Sequence, residues 1–425
     1  MPDLVIRGAQ SDIAVEDGII TAIGPDLPAG KREIDARSLA ILPGIIDVHV
    51  HFNEPGRAEW EGAATGSRAF AAAGGTLFFD MPLNSAPCTV NAHAFDEKRA
   101  ALEKASVTDF ALWGGIIPGN FCHLAELADR GAIGFKAFMS DSGLPEFPRS
   151  DDLTLYEGMR EAARLNLPVS VHAESEEITR GLTRRMLDAG RWSVRDYLDS
   201  RPLIAEIEAI ERATLLARET GAKLHIVHVS SGRGVAAALE ARARGTDVSI
   251  ETCPHYLTFT GEDMERIGAV AKCAPPLRDA TEQQHLWDAV RNGSVDVIGS
   301  DHSPAPLEMK TGDNFFRIWG GIAGIQATLP SLLDRLPLDR IAELLAANPA
   351  RRFRIARKGQ IAVGFDADFA LVDLSRAFVM DREMLLQRHR ISPYIGREFK
   401  GRVVKTILRG QAIPSGTPGK LVMPS

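Results

Sequence analysis

The feature that most constrains this chain is a rhythm in its middle. Eight short β-branched or aromatic runs, at residues 45–50, 76–81, 110–114, 133–139, 168–172, 223–229, 247–252 and 295–300, alternate with helical stretches such as 152–165, 204–219 and 235–244. Such alternation is the mark of βα units, because a helix that carries the chain back lets each strand pair parallel with the next. Eight units over roughly 300 residues fit a (β/α)8 barrel, a fold of about 250 residues with room for insertions. An open doubly wound sheet is the alternative, but no GxGxxG follows the first strand to support it.

The two ends have a different texture. Leu4, Val5 and Ile6 and the run 19–23 are punctuated by Gly8, Gly18, Gly24 and Pro25, and similar strands return at 369–372 and 403–408. Neither end is large enough to bury a core alone. An α/β protein is therefore expected, with a TIM-like barrel over 44–352 and a small β-sandwich domain built from both termini, 1–43 plus 353–425.

Composition removes other classes. Lys+Arg 49 against Asp+Glu 56 leaves a formal charge of −7, which supplies no electrostatic reason to bind nucleic acid or an anionic membrane. No apolar run approaches the roughly 18 residues of a membrane span, and residues 1–10 lack a signal peptide's apolar stretch. The four cysteines, Cys88, Cys122, Cys253 and Cys273, show no CxxC pairing and no disulfide-scaffold density. A cytoplasmic location follows as the expectation.

Barrel active sites lie at the C-terminal ends of the strands. There the first run ends in His49-Val50-His51, the fourth carries Lys136, the fifth ends in His172, the sixth holds His228 and the eighth runs into Asp301. Alternation puts His49 and His51 on one face. Imidazole and carboxylate suit zinc and related first-row metals. Each feature has a plain structural alternative. A lone HxH can be packing, Asp301-His302 can be a turn with a helix cap, and His225 and His255 read as hydrogen-bonded core residues. Lys136 is the odd one, since an unpaired lysine in an apolar strand costs several kcal/mol. Four histidines and an aspartate at successive strand ends are hard to explain as packing, so a metal site is expected.

The run from Pro43 to His51, with Lys136, His172, His228 and Asp301 in order, resembles the cyclic amidohydrolases: dihydroorotases, hydantoinases and allantoinases. The resemblance covers nearly the whole chain, split sandwich included. It implies two divalent metal ions, zinc first with iron, cobalt or manganese as alternatives, bridged by an N6-carboxylated Lys136. It further implies that His49, His51 and Asp301 hold one metal and His172 and His228 the other. Carboxylation would explain the buried lysine, because a neutral amine is nucleophilic and its carbamate is an anion that two cations stabilise.

Within that family, dihydroorotases place an Arg after the HxH motif, an Asn in the stretch matching 272–278 and a His two residues past the Asp-His-Ala trio. Here those positions are Asn53, Ala274 and Ala305. Losing a bidentate Arg–carboxylate grip removes several kcal/mol, which argues against that activity. Hydantoinases carry a Tyr after the lysine strand, where this chain has Ser140-Asp141-Ser142-Gly143. The stretches 51–57, 80–85, 251–257, 300–304 and 319–326 resemble allantoinases instead. The resemblance thus implies hydrolysis of the cyclic ureide allantoin to allantoate in purine catabolism. Asp301 would shuttle the proton, and Asn84, Ser303 and Asn53 would contact substrate. The alternatives are a hydantoinase or dihydropyrimidinase-like enzyme, a dihydroorotase-like one, or a non-catalytic scaffold of the same fold. Relatives commonly form dimers or tetramers, so a homo-oligomer is expected.

Overall fold

A computed structural model of the chain describes residues 1–414 and 418–425. The barrel strands are Ile45–Val50, Gly75–Asp80, Asp109–Leu112 continued by Gly114–Gly115, Phe135–Phe138, Val169–His172, Leu224–Ile226, Val248–Thr252 and Val297–Ile298. Neighbours in sequence pair in parallel. The third strand is interrupted at Trp113, whose indole N–H donates to the Val48 carbonyl at 3.0 Å. The ring closes where Val50 bridges His302 and the His51 N–H donates to the His302 carbonyl at 2.9 Å. The eight expected strands are all present, but the sixth and eighth stop short of His228 and Asp301.

Outside the strands lie helices including Ala92–Ala105, Asp152–Arg164, Leu203–Thr220, Gly232–Ala243 and Ala280–Arg291. Their starts follow from local chemistry. Asn91, Asp151, Ser231 and Asp279 each accept a first-turn backbone N–H that has no partner within its helix. Leu203–Thr220 ends at Gly221, whose φ of 72° is one that a side chain would resist. No helix among the described residues is long and apolar enough to cross a membrane.

The first barrel strand holds the geometry that matters most. Ile46 and Val48 belong to one apolar cluster with Leu77, Phe79 and Trp113. Val50, of the same parity, belongs to the other cluster. Pairing register slips between Asp47 and Val50. Such a bulge re-aims the residues that follow, and it brings His49 and His51 onto the face that Ile46 and Val48 occupy lower down.

The sandwich has one sheet of Leu4–Gly8, Asp12–Glu16, Ile19–Gly24 and Glu33–Ala36, and a second of Ala40–Pro43, Phe369–Val379, Glu398–Leu408 and Gln411–Ala412. Between them pack Leu4, Ile6, Ile13, Val15 and Ile20 from one end of the chain and Phe369, Leu371 and Ile407 from the other. Lys358 joins sandwich to barrel, its ammonium 2.6 Å from Asp368, 3.0 Å from Asp109 and 3.2 Å from Asp366. Residues 420–422 leave the sandwich altogether and run beside Phe110 of the barrel.

Candidate active site

At the C-terminal mouth of the barrel lies a cavity of about 420 Å³ whose lining includes His49, His51, Asn84, His172, His228, Asp301 and Ser303. His228 and Asp301 stand just past their strands with φ of 41° and 44°. Left-handed backbone is uncommon for such residues and marks places where surrounding structure enforces it. Here it ends the strands and turns both side chains into the mouth.

His49, His51 and Asp301 each offer a ligand atom within 4.8 Å of the others. The carboxylate Oδ1 of Asp301 is 3.3 Å from His49 Nε2 and 3.4 Å from His51 Nε2. Burial by itself would raise the Asp301 pKa, but His49 and His51 outweigh it and hold the carboxyl below its usual range. It is a carboxylate at neutral pH. Burial lowers His51 and keeps that ring neutral.

A second pair of donors faces the first. His172 Nδ1 and His228 Nε2 are 3.1 Å apart, and the ring of His228 is 5.4 Å from that of His49, centre to centre. Burial, then repulsion from His172 and Lys136, puts His228 well below the ordinary histidine range. Lys136 Nζ is fully buried and has no hydrogen-bond partner among the described residues. Desolvation pulls its pKa down to about 8 despite Glu251 and Asp301. An orphaned amine, two facing ring nitrogens and a His-His-Asp cluster fit a pair of divalent cations. No apolar or purely hydrogen-bonded role satisfies these atoms together.

Two buried carboxylates stand behind these residues. Glu251 accepts from His49 Nδ1 at 2.8 Å and from His225 Nε2 at 2.9 Å. Glu174 accepts from His172 Nε2 at 2.8 Å and from Arg201 at 2.5 Å. Burial opposes ionisation of both, yet these partners hold each at about 2. Such carboxylates orient a ligating ring and fix its tautomer. Neither is expected from local pattern. The only sequence signals are an acid two residues past His172 and one on the seventh strand.

Expected substrate contacts fare unevenly. Asn84, at φ 68°, and Ser303 line the cavity. The Ser303 N–H is already taken by the Ile322 carbonyl at 3.0 Å, leaving its hydroxyl and carbonyl for a ligand. Asn53 adopts φ 63° and its amide N–H donates to the Pro304 carbonyl at 3.4 Å, while its Oδ1 is buried without a partner among the described residues. His225 is hydrogen-bonded in the core as expected, also reaching Ser249 at 2.8 Å. His255 departs from that expectation. Its Nε2 is buried without a partner among the described residues, and desolvation takes the ring down to about 4. Cys273, on the wall, is driven up to about 12 by burial, which leaves no thiolate for catalysis.

Comparison with known proteins agrees with this geometry. Residues 40–413 match the model of the amidohydrolase family. An allantoinase of Solibacter usitatus is 66% identical over 97% of this chain and 94% of its own length. One of Rubrobacter xylanophilus is 57% identical over 99% and 98%. Among solved structures, the L-hydantoinase (dihydropyrimidinase) of Arthrobacter aurescens superposes with a TM-score of 0.96 at 33% identity, covering all of both chains.

Proposed function

The chain belongs to the amidohydrolase family, and from that premise we infer that it hydrolyses the hydantoin ring of allantoin to allantoate. One observation carries the hydrolytic chemistry: the His49, His51 and Asp301 donors converge beside the facing rings of His172 and His228 at the floor of the cavity. The substrate rests on 66% and 57% identity, over nearly the full length, with two allantoinases.

His49, His51 and Asp301 would hold one divalent cation, His172 and His228 the other, with a carboxylated Lys136 between them. Zinc is the first choice, and iron, cobalt or manganese also suits these donors. What such a pair supplies when bound is Lewis acidity, acidifying a water and polarising the scissile carbonyl.

The residues do the rest. Water adds its oxygen to the ring carbonyl carbon, the ring C–N bond breaks, and the oxygen ends in the product's carboxylate. Asp301, ionised at neutral pH, takes the water's proton and passes it to the departing ring nitrogen. Its depressed pKa makes it a weak base but, once protonated, a ready acid, so the proton does not linger. The Asn84 amide and the Ser303 hydroxyl orient the uncharged ureide. Glu251 and Glu174 keep His49 and His172 aimed.

We extend the proposal to a cytoplasmic homo-oligomer, a dimer or tetramer. Light scattering measures the mass. The deciding assay offers allantoin, dihydroorotate and hydantoin to protein reconstituted with divalent metal and bicarbonate, beside a chelated control. Metal-dependent turnover of allantoin supports the proposal. Turnover of hydantoin or dihydroorotate alone overturns its substrate.

A further inference from the structure

Two buried lysines, Lys272 on the cavity wall and Lys310 bonded to carbonyls of that wall, have no part in the chemistry above. Lys272 and Lys310 are buried, and neither has a carboxylate within ion-pair distance among the described residues. Their donors all end on backbone carbonyls. Lys272 Nζ reaches the carbonyls of Phe315 at 2.7 Å, Ile318 at 2.5 Å and Phe316 at 3.3 Å. Lys310 Nζ reaches Gly321 at 2.6 Å, Trp319 at 2.9 Å and, more weakly, Ala269 at 3.5 Å. Five of these six carbonyls belong to residues 315–321, and Phe316 to Gly321 form a continuous stretch of cavity wall.

The N–H groups of that stretch find partners elsewhere, Phe315 on Trp192, Trp319 on Met309 and Gly321 on Lys272, while its carbonyls turn to the two lysines. The stretch holds one three-residue turn, Phe315–Arg317, and no strand. Irregular backbone exposes carbonyls in directions that no ladder satisfies, and an ammonium with three rotatable N–H groups can gather several at once. Burying such a cation without a counter-charge is costly, and burial pushes both lysines down to about 7, with Arg201 and Lys310 adding to the effect at Lys272. A methionine would fill either space without that cost, so simple packing does not explain two buried amines that gather carbonyls. The wall they fix also meets the ligand side. Gly321 lies so close to Ser303 that an added Cβ would stand 2.4 Å from the Ser303 carbonyl oxygen, and its N–H donates to the Lys272 carbonyl at 2.8 Å.

We propose that Lys272 and Lys310 are positioning residues which clamp residues 315–321 into the shape that receives the substrate. This rests on the ureide hydrolysis inferred above for its substrate, though not for the clamp itself. Neither lysine touches the reacting atoms. Their loss should loosen binding rather than stop chemistry.

The test uses full-length K272M and K310M, reconstituted like the wild type. Expected is a KM for allantoin raised by about tenfold or more, the loss that one or two charge-assisted hydrogen bonds predict. Unchanged metal content and kcat within about threefold should accompany it. Hydrogen–deuterium exchange at amides 315–321 should quicken by at least about tenfold, with the rest of the barrel unaltered. Normal KM and normal exchange in both variants overturn the proposal, as does a fall in kcat and metal content with KM unmoved. If K272M folds poorly, K310M alone carries the same expectation through Trp319 and Gly321. The exchange measurement needs no substrate, so a wild type inactive on allantoin strikes the function and leaves the clamp to be judged separately.

Discussion

His172 Nδ1 lies 3.1 Å from His228 Nε2, while the opposite nitrogen of His172 is held 2.8 Å from Glu174. A carboxylate can only accept, so the proton of neutral His172 sits on Nε2 and Nδ1 turns a lone pair toward His228. Glu174 therefore decides which nitrogen is offered to a cation. Arg201 in turn holds Glu174 ionised against the cost of its burial.

Replacing Glu174 by Gln should weaken this aim without emptying the space. Affinity for the second cation is expected to fall by about ten- to a hundredfold, read by competition with a chelator. Unchanged affinity would show that His172 needs no such support.

Asp301→Asn keeps the shape and loses the base. Turnover of allantoin should drop by about a thousandfold or more, with the circular dichroism spectrum and melting midpoint near those of the parent. Near-normal turnover would remove Asp301 from its assigned role.

Carboxylation of Lys136 should follow its deprotonation. With a pKa of about 8, about one chain in ten holds the neutral amine at pH 7, against about one in three thousand for an ordinary lysine. Apoprotein incubated with 13C-bicarbonate should give a carbamate NMR signal that forms faster from pH 6 to 8 and then levels. The signal should be absent from K136M. A rate flat across that range would mean that the amine is not limiting.

Chelation should abolish activity and lower the melting midpoint by several degrees. Ligands that bind only the folded state stabilise it by mass action, and the like-facing donors lose their common partner. An apoprotein that melts with the holoprotein would place the cations elsewhere.

Much of this was legible from residue order. Eight strand-like runs specified the barrel, and the spacing of His49 and His51 placed both on one face. The bulge between Asp47 and Val50 that turns that face inward was not visible, because it depends on how the second strand pairs. Glu174, Glu251 and Arg201 were missed for a related reason. Glu251 meets His49 and His225 from other strands, and Arg201 reaches Glu174 from the end of a helix, contacts that no local periodicity reports. An asparagine at a strand end such as Asn53 serves equally as a ligand contact and as a left-handed turn residue, and φ 63° shows the turn while its Oδ1 keeps no partner among the described residues. Lys272 and Lys310 follow the same pattern, since what they bind is main chain, which has no sequence.

The inner layer of the sandwich draws Leu4, Ile6 and Ile20 from one end of the chain and Phe369, Leu371 and Ile407 from the other. On a ribosome these are made at opposite ends of synthesis. The first sheet leaves the exit tunnel early and then waits, its oily side bare, until residues 369–408 appear, by which time every barrel strand is already out. The growing polypeptide therefore displays a surface of the kind chaperones seize throughout its elongation. A product that stalls before its last strands stays marked by that surface for disposal.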